Sequence, residues 1–169
     1  TCAMTKDGIV KCWGNNTSEY YGTYSVSVWS TPVEVFGLSG AVRDFAAGWQ
    51  NNCAAMVDGS VRCWGSGTSA ADRPVAGIST AVGIEAGGSH RCAVTSVGAV
   101  QCWMTNSTGQ LGNGTTTSSS TPVDTIGLGT GMASVVAGYS HSCALGDTGT
   151  LQCWGANGSG QLGNNSIVD

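Results

Sequence analysis

The sequence is poor in charged residues, which make up only 9% of the chain, against about 25% in ordinary soluble proteins. Surface helices depend on Lys, Glu and Ala, so this shortage argues against a helical fold. No basic run occurs and the net charge is −4, which argues against binding to nucleic acid. No apolar run approaches the roughly 18 residues of a membrane span, so we expect no membrane insertion.

Several motifs of enzymes and metal sites are also missing. The sequence contains no G-x-S-x-G, no H-E-x-x-H, no Asp-rich calcium loop and no C-x2-C pair. No segment carries apolar residues at the helical period, and no polar cluster is unique to one part of the chain. These absences predict a protein that has no cofactor, no metal ion and no catalytic residue.

What the sequence does contain is a repeat built around paired cysteines. The stretch CAMTKDGIVKCWG at 2–14 returns in related form at 53–65, 92–104 and 143–155. Repeats one and three align without a gap, whereas repeat two is shorter after Trp64. Such internal repetition indicates a fold assembled from one small unit. The repeat pieces span about 1–39, 40–79, 80–130 and 131–169.

Each unit predicts short strands separated by glycine-rich turns. In the last unit the predicted strands are MASVVAG at 132–138, SCAL at 142–145 and TLQCWG at 150–155. Repeats one and three add a short extended piece, STPV, at 30–33 and 120–123, where proline suggests a strand edge. Three or four short strands in about 40 to 50 residues are typical of a β-propeller blade. The predicted fold class is therefore all-β.

The spacing of the cysteines follows from a hairpin. If Lys6-Asp7-Gly8 form a three-residue turn that ends in a left-handed glycine, Cys2 lies directly opposite Cys12. Opposite residues in an antiparallel pair are about 4.5 to 5.5 Å apart, within reach of a disulfide. The same count pairs Cys53 with Cys63, Cys92 with Cys102, and Cys143 with Cys153. Buried free thiols and zinc ligation are the alternatives to four cross-strand disulfides.

These residues resemble the repeats of the RCC1 family, named after the regulator of chromosome condensation. The matching motifs are VVAGYSHSCAL at 135–145, the hairpin arm G-x-V-x-C-W-G, and GQLG at 109–112 and 160–163. The resemblance implies a β-propeller, typically of seven blades in this family, so the chain would form an arc of three or four. Because it begins inside a repeat, we expect a longer natural protein; association of copies into a ring or filament is the alternative.

The paired cysteines depart from the nuclear members of the family and resemble a secreted, bacterial-type variant. Disulfides persist outside the reducing cytoplasm, so we expect an extracellular or cell-surface location. The tryptophan after each second cysteine is interpreted as packing between blades. His90 and His141 precede a cysteine at the same repeat position, where the resemblance implies a structural histidine.

Loops on one face of related propellers bind a protein partner. The resemblance places three pairs of residues in such loops here: Trp49 and Gln50, Gly88 and Ser89, and Tyr139 and Ser140. Exposed aromatic residues are good anchors of an interface, although Trp49 and Tyr139 could instead only cover the blade ends. Three more aromatic residues in the long loop of repeat one are further candidates for exposure: Tyr20, Tyr24 and Trp29.

The predicted function is a secreted or cell-surface, non-enzymatic module for protein interaction or structure, including self-assembly. A carbohydrate-binding propeller is the alternative, since the same aromatic residues could stack on sugars. Regulation of a GTPase or a hydrolase is a remote third hypothesis, because the acidic pI of about 4.8 and the expected disulfides argue against it. Sequons that a host could glycosylate occur in loops, at Asn15, Asn16, Asn106, Asn113, Asn157 and Asn164.

Overall fold

The computed structural model describes residues 1–15, 28–35, 37–38, 40–49, 51–65 and 74–169. Every regular element in this described part is a β-strand, as the sequence predicts. The strands form four antiparallel sheets, each made of consecutive strands. Each sheet is one blade, and we number the blades 1 to 4 in chain order.

The strands are short and are separated by tight turns. Blade 1 contains β1 (Cys2–Met4), β2 (Val10–Asn15) and β3 (Val28–Glu34). Blade 2 contains β4 (Val42–Ala47), β5 (Asn51–Met56) and β6 (Val61–Gly65), with a single outer bridge from Arg62 to Pro74. Blade 3 contains β7 (Ala81–Ala86), β8 (His90–Thr95), β9 (Val100–Met104) and β10 (Ser119–Asp124). Blade 4 contains β11 (Met132–Ala137), β12 (His141–Gly146) and β13 (Leu151–Gly155).

The hairpin register predicted from the cysteine spacing is confirmed. Cys2 lies opposite Cys12, and the three other cysteine pairs lie opposite each other in the same way. All eight cysteines form these four disulfides, one in each blade, with Cα atoms 4.0 to 4.1 Å apart. The turn glycines have positive φ, for example +75° at Gly8, as the three-residue turn requires. Each disulfide therefore links the two paired strands of one hairpin.

The hydrophobic cores lie between blades. The central strands β5 and β8 are buried along their whole length because a neighbouring blade covers each of their faces. Small residues such as Ala54, Ala55 and Ala93, all fully buried, let the sheets approach closely. Each core combines the disulfide side of one blade with a tryptophan of the next: Cys12 with Trp64, Cys53 and Cys63 with Trp103, and Cys92 and Cys102 with Trp154. The expected role of these tryptophans in packing between blades is confirmed.

A second contact between blades is made by the hairpin turns. The carbonyl oxygen of Gly59 accepts a hydrogen bond from the N–H of Ala81 at 2.9 Å, where the inner strand of the next blade begins. Equivalent bonds join Val42 to Gly8 at 3.2 Å and Met132 to Gly98 at 3.0 Å. The approach leaves no room for a side chain, since a Cβ atom on Gly59 would lie 2.4 Å from the carbonyl oxygen of Ser79.

Gly59 and Gly149 are turn glycines with the same backbone conformation but different surroundings. Comparing them separates the effect of backbone conformation from the effect of packing between blades. Both have φ of +84°, but a Cβ atom on Gly149 would meet nothing within 4 Å. We expect Gly149→Ala to lower the free energy of unfolding by about 1–2 kcal/mol, through backbone conformation alone. Gly59→Ala should cost about 1–3 kcal/mol more, because blades 2 and 3 must also move apart. Urea unfolding of the two variants checks this, and equal losses would contradict the packing role.

The disulfides predict a simple mass measurement. Alkylation of the folded chain without reductant should leave its mass unchanged, because none of the eight cysteines is free. Reduction before alkylation should add eight alkyl groups. Any alkyl group added to the native chain would show that at least one blade lacks its disulfide.

Candidate interaction surface

Three equivalent loops lie at the same end of the inner strands. The strands β4, β7 and β11 form the inner edge of blades 2, 3 and 4, and each leads into a loop with the central strand of its own blade. The repeat places Trp49, Gly88 and Tyr139 at the same position of these loops. Two blades thus carry an aromatic residue where the blade between them carries glycine.

The rings of Trp49 and Tyr139 touch each other across blade 3. Their centroids are 6.3 Å apart and their planes meet at 79°, the edge-to-face arrangement that aromatic pairs favour. Despite this contact, Trp49 is 71% exposed and Tyr139 is 70% exposed. The pair therefore presents a large apolar surface to solvent in a fixed arrangement.

Gly88 makes this contact between blades possible. Its N–H donates to the carbonyl oxygen of Tyr139 at 3.0 Å, which ties the two loops together. A Cβ atom on Gly88 would lie 2.9 Å from Cδ2 of the Tyr139 ring, so a side chain there would displace the ring. The N–H of Trp49 donates to the carbonyl oxygen of Gly87 at 3.5 Å, and this weaker bond holds the other loop.

The loops that carry the aromatic pair, and the segment beside them in blade 3, have no charged side chain in their described residues. Residues 48–49, 87–89, 105–118 and 138–140 contain no Asp, Glu, Lys or Arg, whereas the carboxylate of Asp169 accepts the N–H of Asn157 in blade 4. The loops contact one another, since Thr105 donates to the carbonyl oxygen of Ser89 at 3.2 Å and the hydroxyl of Thr108 to that of Ser140 at 3.1 Å. These loops therefore combine aromatic and hydroxyl groups and carry no charged side chain in their described residues.

The remaining predicted site residues are placed unequally. Ser89 is exposed and Ser140 is half-buried beside Tyr139. Trp29 lies on β3, where it is half-buried and packs against the core between blades 1 and 2. Gln50, Tyr20 and Tyr24 lie outside the described residues. The structure thus brings Trp49, Ser89, Tyr139 and Ser140 together at one end of the blades.

A buried asparagine holds the glycine-rich loop of blade 3. The side chain of Asn106 is fully buried, and its Nδ2 donates to the carbonyl oxygens of Thr115 at 2.9 Å and Thr117 at 3.1 Å. Its Oδ1 accepts the N–H of Leu111 at 2.9 Å. Asn157 repeats this network in blade 4, where its Oδ1 accepts the N–H of Leu162 at 3.0 Å. We call these two segments, 106–117 and 157–168, the pinned loops.

Besides the bond from Thr108 to Ser140, one carbonyl group attaches the pinned loop of blade 3 to blade 4. The carbonyl oxygen of Gln110 accepts the indole N–H of Trp154 at 2.9 Å and the hydroxyl of Ser142 at 3.2 Å. The sequence analysis named Asn106 only as a sequon and did not single out Gln110 or Ser142. The recurrence of N-x-S/T-G-Q-L-G-N in both pinned loops was the signal that could have shown the structural role of the asparagine.

Two of the predicted sequons, at Asn106 and Asn157, belong to the hydrogen-bond networks that hold the pinned loops. The amides of Asn106 and Asn157 are 0% exposed, and their hydrogens are used within the loop. A glycan on either nitrogen would break the pinned loop, so these two positions do not offer a free side chain in the folded protein.

His90 links blade 3 to blade 4. It is fully buried, and its Nε2 lies 2.8 Å from the hydroxyl oxygen of Ser142. Since Ser142 donates its own proton to Gln110, we assign the ring proton to Nε2. Burial lowers the pKa of His90 to about 4, with a smaller contribution from His141. The His90 ring is therefore neutral at ordinary pH. Asn51 takes the same repeat position in blade 2, where its side-chain amide donates to the carbonyl oxygen of Gly88 at 3.4 Å.

The inner strands carry a second polar link. The carboxylate of Asp44 accepts the N–H of Ile84 in the next blade at 3.0 Å. Burial raises the pKa of Glu85, and the charge of Asp44 raises it further.

No group of three His, Cys, Asp or Glu side chains that could hold a metal ion occurs among the described residues. Within the same residues, no helix is long and apolar enough to cross a membrane.

Family models of this repeat match most of the strands described above. A model of the regulator of chromosome condensation (RCC1) repeat matches residues 42–70 and 132–161, and a second model of the same repeat matches 98–145. Together the matches cover more than half of the chain. The chain belongs to the RCC1 repeat family. The matched residues include the strands β4 to β6 and β9 to β13, with three of the four disulfides at least in part.

Solved structures show the same fold over nearly the whole chain. Human WBSCR16 matches 99% of it with a TM-score of 0.85 at 22% identity, over 48% of its own length. The structure of Kap60 bound to yeast RCC1 (Prp20) matches 92% with a TM-score of 0.76 at 23% identity, over 39% of the matched chain. The ectodomain of the receptor kinase CR4 from Physcomitrella patens matches 98% with a TM-score of 0.61 at 19% identity, over 42% of its length. The chain therefore spans about half the length of these proteins or less.

His90 predicts how the stability of these RCC1 repeats depends on pH. The folded protein binds a proton at His90 only near pH 4, whereas the unfolded chain binds one near pH 6.5. The stability that neutral His90 contributes is therefore complete above about pH 6.5 and declines as the pH falls toward 4. His90→Asn, which copies blade 2, should lose this dependence. Thermal unfolding across that range should show the gap between wild type and variant narrowing at low pH; a constant gap would contradict the assignment.

Proposed function

We propose that this chain is a non-enzymatic interaction module that acts outside the cytosol and binds a protein partner through Trp49 and Tyr139. The observation that carries the proposal is the exposed aromatic pair. Two large rings are each about 70% exposed, yet they are held by backbone hydrogen bonds between blades and by contact with each other. Tryptophan and tyrosine at the centre of an interface supply much of the binding energy in protein complexes.

The rigidity of the loops favours this role. A binding surface whose rings and backbone are already fixed loses little conformational entropy when a partner binds. The pinned loop of blade 3, which contacts Ser140 through Thr108, is held by the buried Asn106, so this neighbouring surface is also ordered. Such a platform suits recognition better than catalysis, which would require a nucleophile or an acid and base in a cleft.

Proteins of the same fold give independent support. The yeast structure contains Kap60 bound to RCC1, so one propeller of this kind is found in complex with another protein. The matched part of CR4 belongs to a receptor ectodomain. The four disulfides of the present chain favour a similarly oxidising location.

A neutral carbohydrate is the second candidate ligand, and one observation favours it. The loops around the aromatic pair contain hydroxyl and amide groups but no charge within their described residues. The hydroxyls of Ser89 and Ser140 make no hydrogen bond inside the described part of the chain, so they are available to a ligand. Aromatic faces combined with such groups can hold a sugar ring in place.

The two rings can be tested directly. Trp49→Ala and Tyr139→Ala should each weaken binding of a protein partner by at least about 2 kcal/mol, which is roughly thirtyfold in Kd. Thermal stability should barely change, because both side chains are exposed. Proteins from the extracellular fraction of the source would first be captured on the wild-type chain and identified, and their Kd values would then be measured with each variant.

Val57→Ala is the matched control, because Val57 is 56% exposed and follows the opposite end of β5. It should bind like wild type. A partner that binds both ring variants as well as the control would contradict the proposed surface. Loss of binding in the presence of a free neutral sugar would instead support the carbohydrate ligand.

A further inference from the structure

Two Asn-Gly pairs occur in the chain, and the pinned loops place them in opposite environments. They are Asn113-Gly114 and Asn157-Gly158. In such a pair the backbone nitrogen of the glycine reaches the asparagine side chain with little hindrance, because glycine has no side chain of its own. Attack by this nitrogen on the amide carbon is the route by which asparagine loses ammonia. The two pairs can therefore be compared within one folded protein.

Asn157 is protected against this reaction. Its side chain is 0% exposed, and its Nδ2 donates to Asn164, Ser166 and Val168 at 3.2, 3.1 and 2.9 Å. Its Oδ1 accepts the N–H of Leu162. The amide group cannot rotate toward the following nitrogen or leave without breaking the whole pinned loop.

Asn113 has the reverse arrangement. Its Oδ1 accepts three hydrogen bonds, from Nδ2 of Asn106 at 3.1 Å, the N–H of Thr115 at 3.2 Å and the hydroxyl of Thr115 at 2.9 Å. Its own Nδ2 makes no hydrogen bond within the described part of the chain. Gly114 is exposed, with φ of +74°. The carbonyl oxygen is thus held by donors while the nitrogen that would leave is free.

We propose that Asn113 is a site of spontaneous deamidation in the folded protein and that Asn157 is not. The backbone nitrogen of Gly114 gives its proton to water or hydroxide and forms a bond to Cγ of Asn113. Negative charge develops on Oδ1, where the three donors stabilise it. The bond from Cγ to Nδ2 then breaks, and the nitrogen takes a proton from water and leaves as ammonia.

The product of these steps is a five-membered succinimide ring. Addition of one water molecule to either of its carbonyl groups opens it, to aspartate or to isoaspartate at position 113. Both products add one negative charge to the segment 105–118, which otherwise contains no charged residue. Isoaspartate also lengthens the backbone by one carbon inside a loop that Asn106 holds at Asn113, Thr115 and Thr117. Because this loop carries the Gln110 carbonyl, the conversion weakens the contact between blades 3 and 4.

The experiment is an incubation of the folded 169-residue chain at mildly alkaline pH, followed by digestion in acid and peptide mass analysis. The peptide that contains Asn113 should gain the mass of an amide-to-acid conversion, with release of ammonia, while the Asn157 peptide stays unchanged. Conversion of both at equal rates, or of neither, would overturn the proposal.

Variants of the pinned loop test the role of the three donors. Thr115→Val removes the donor at 2.9 Å and should slow the reaction about tenfold, less than the roughly 10²-fold effect of one donor in an enclosed oxyanion hole. Thr115→Ser keeps the hydroxyl, as Ser166 does in blade 4, and should react like wild type. An unchanged rate in Thr115→Val, with its four disulfides intact, would show that the donors do not assist.

Discussion

The fold depends on the burial of each central strand between two neighbouring blades. A strand such as β5 or β8 has no solvent face, so its residues must satisfy two different cores at once. One face packs against the tryptophan of the next blade, and the other packs against the preceding blade. A three-stranded blade alone would leave both faces in water and would be marginally stable at best. The disulfide adds stability within each hairpin that the small core of one blade cannot supply.

Local geometry explains which features could be predicted from the sequence. The register of the hairpins depends only on a turn of three residues and on one glycine, so the pairing of Cys53 with Cys63 could be counted along the chain. The packing role of Trp64 and Trp103 could be inferred because tryptophan recurs at one position of the repeat. Both features involve neighbours in sequence or equivalent positions, which a repeated sequence makes visible.

Contacts between different blades explain two of the features that could not be predicted, and burial within one loop explains a third. Asn106 has the N-x-T pattern of a glycosylation site, and the fold shows that its amide is buried. Its nitrogen donates to carbonyl oxygens nine and eleven residues away, and its oxygen accepts an N–H five residues away. The meeting of Trp49 with Tyr139 depends on a glycine in a third loop, Gly88. The half-buried position of Trp29 depends on the core beside it. The two contacts between blades have no fixed spacing in the sequence, whereas the spacings within the loop of Asn106 recur around Asn157.

In the first three units, a connection leads from the strand of the second cysteine to the outer strand or bridge. Its length bears on where such proteins can gain or lose residues. Successive first cysteines are 51, 39 and 51 residues apart, so this connection differs greatly in length between blades. The core beside the shortened unit still pairs a disulfide with a tryptophan, as the other cores do. Insertions and deletions are therefore tolerated at the rim, while the inner loops and turns keep their length. Evolution, or a designer, can therefore change the length of this connection while the disulfide and the tryptophan of the neighbouring core stay paired.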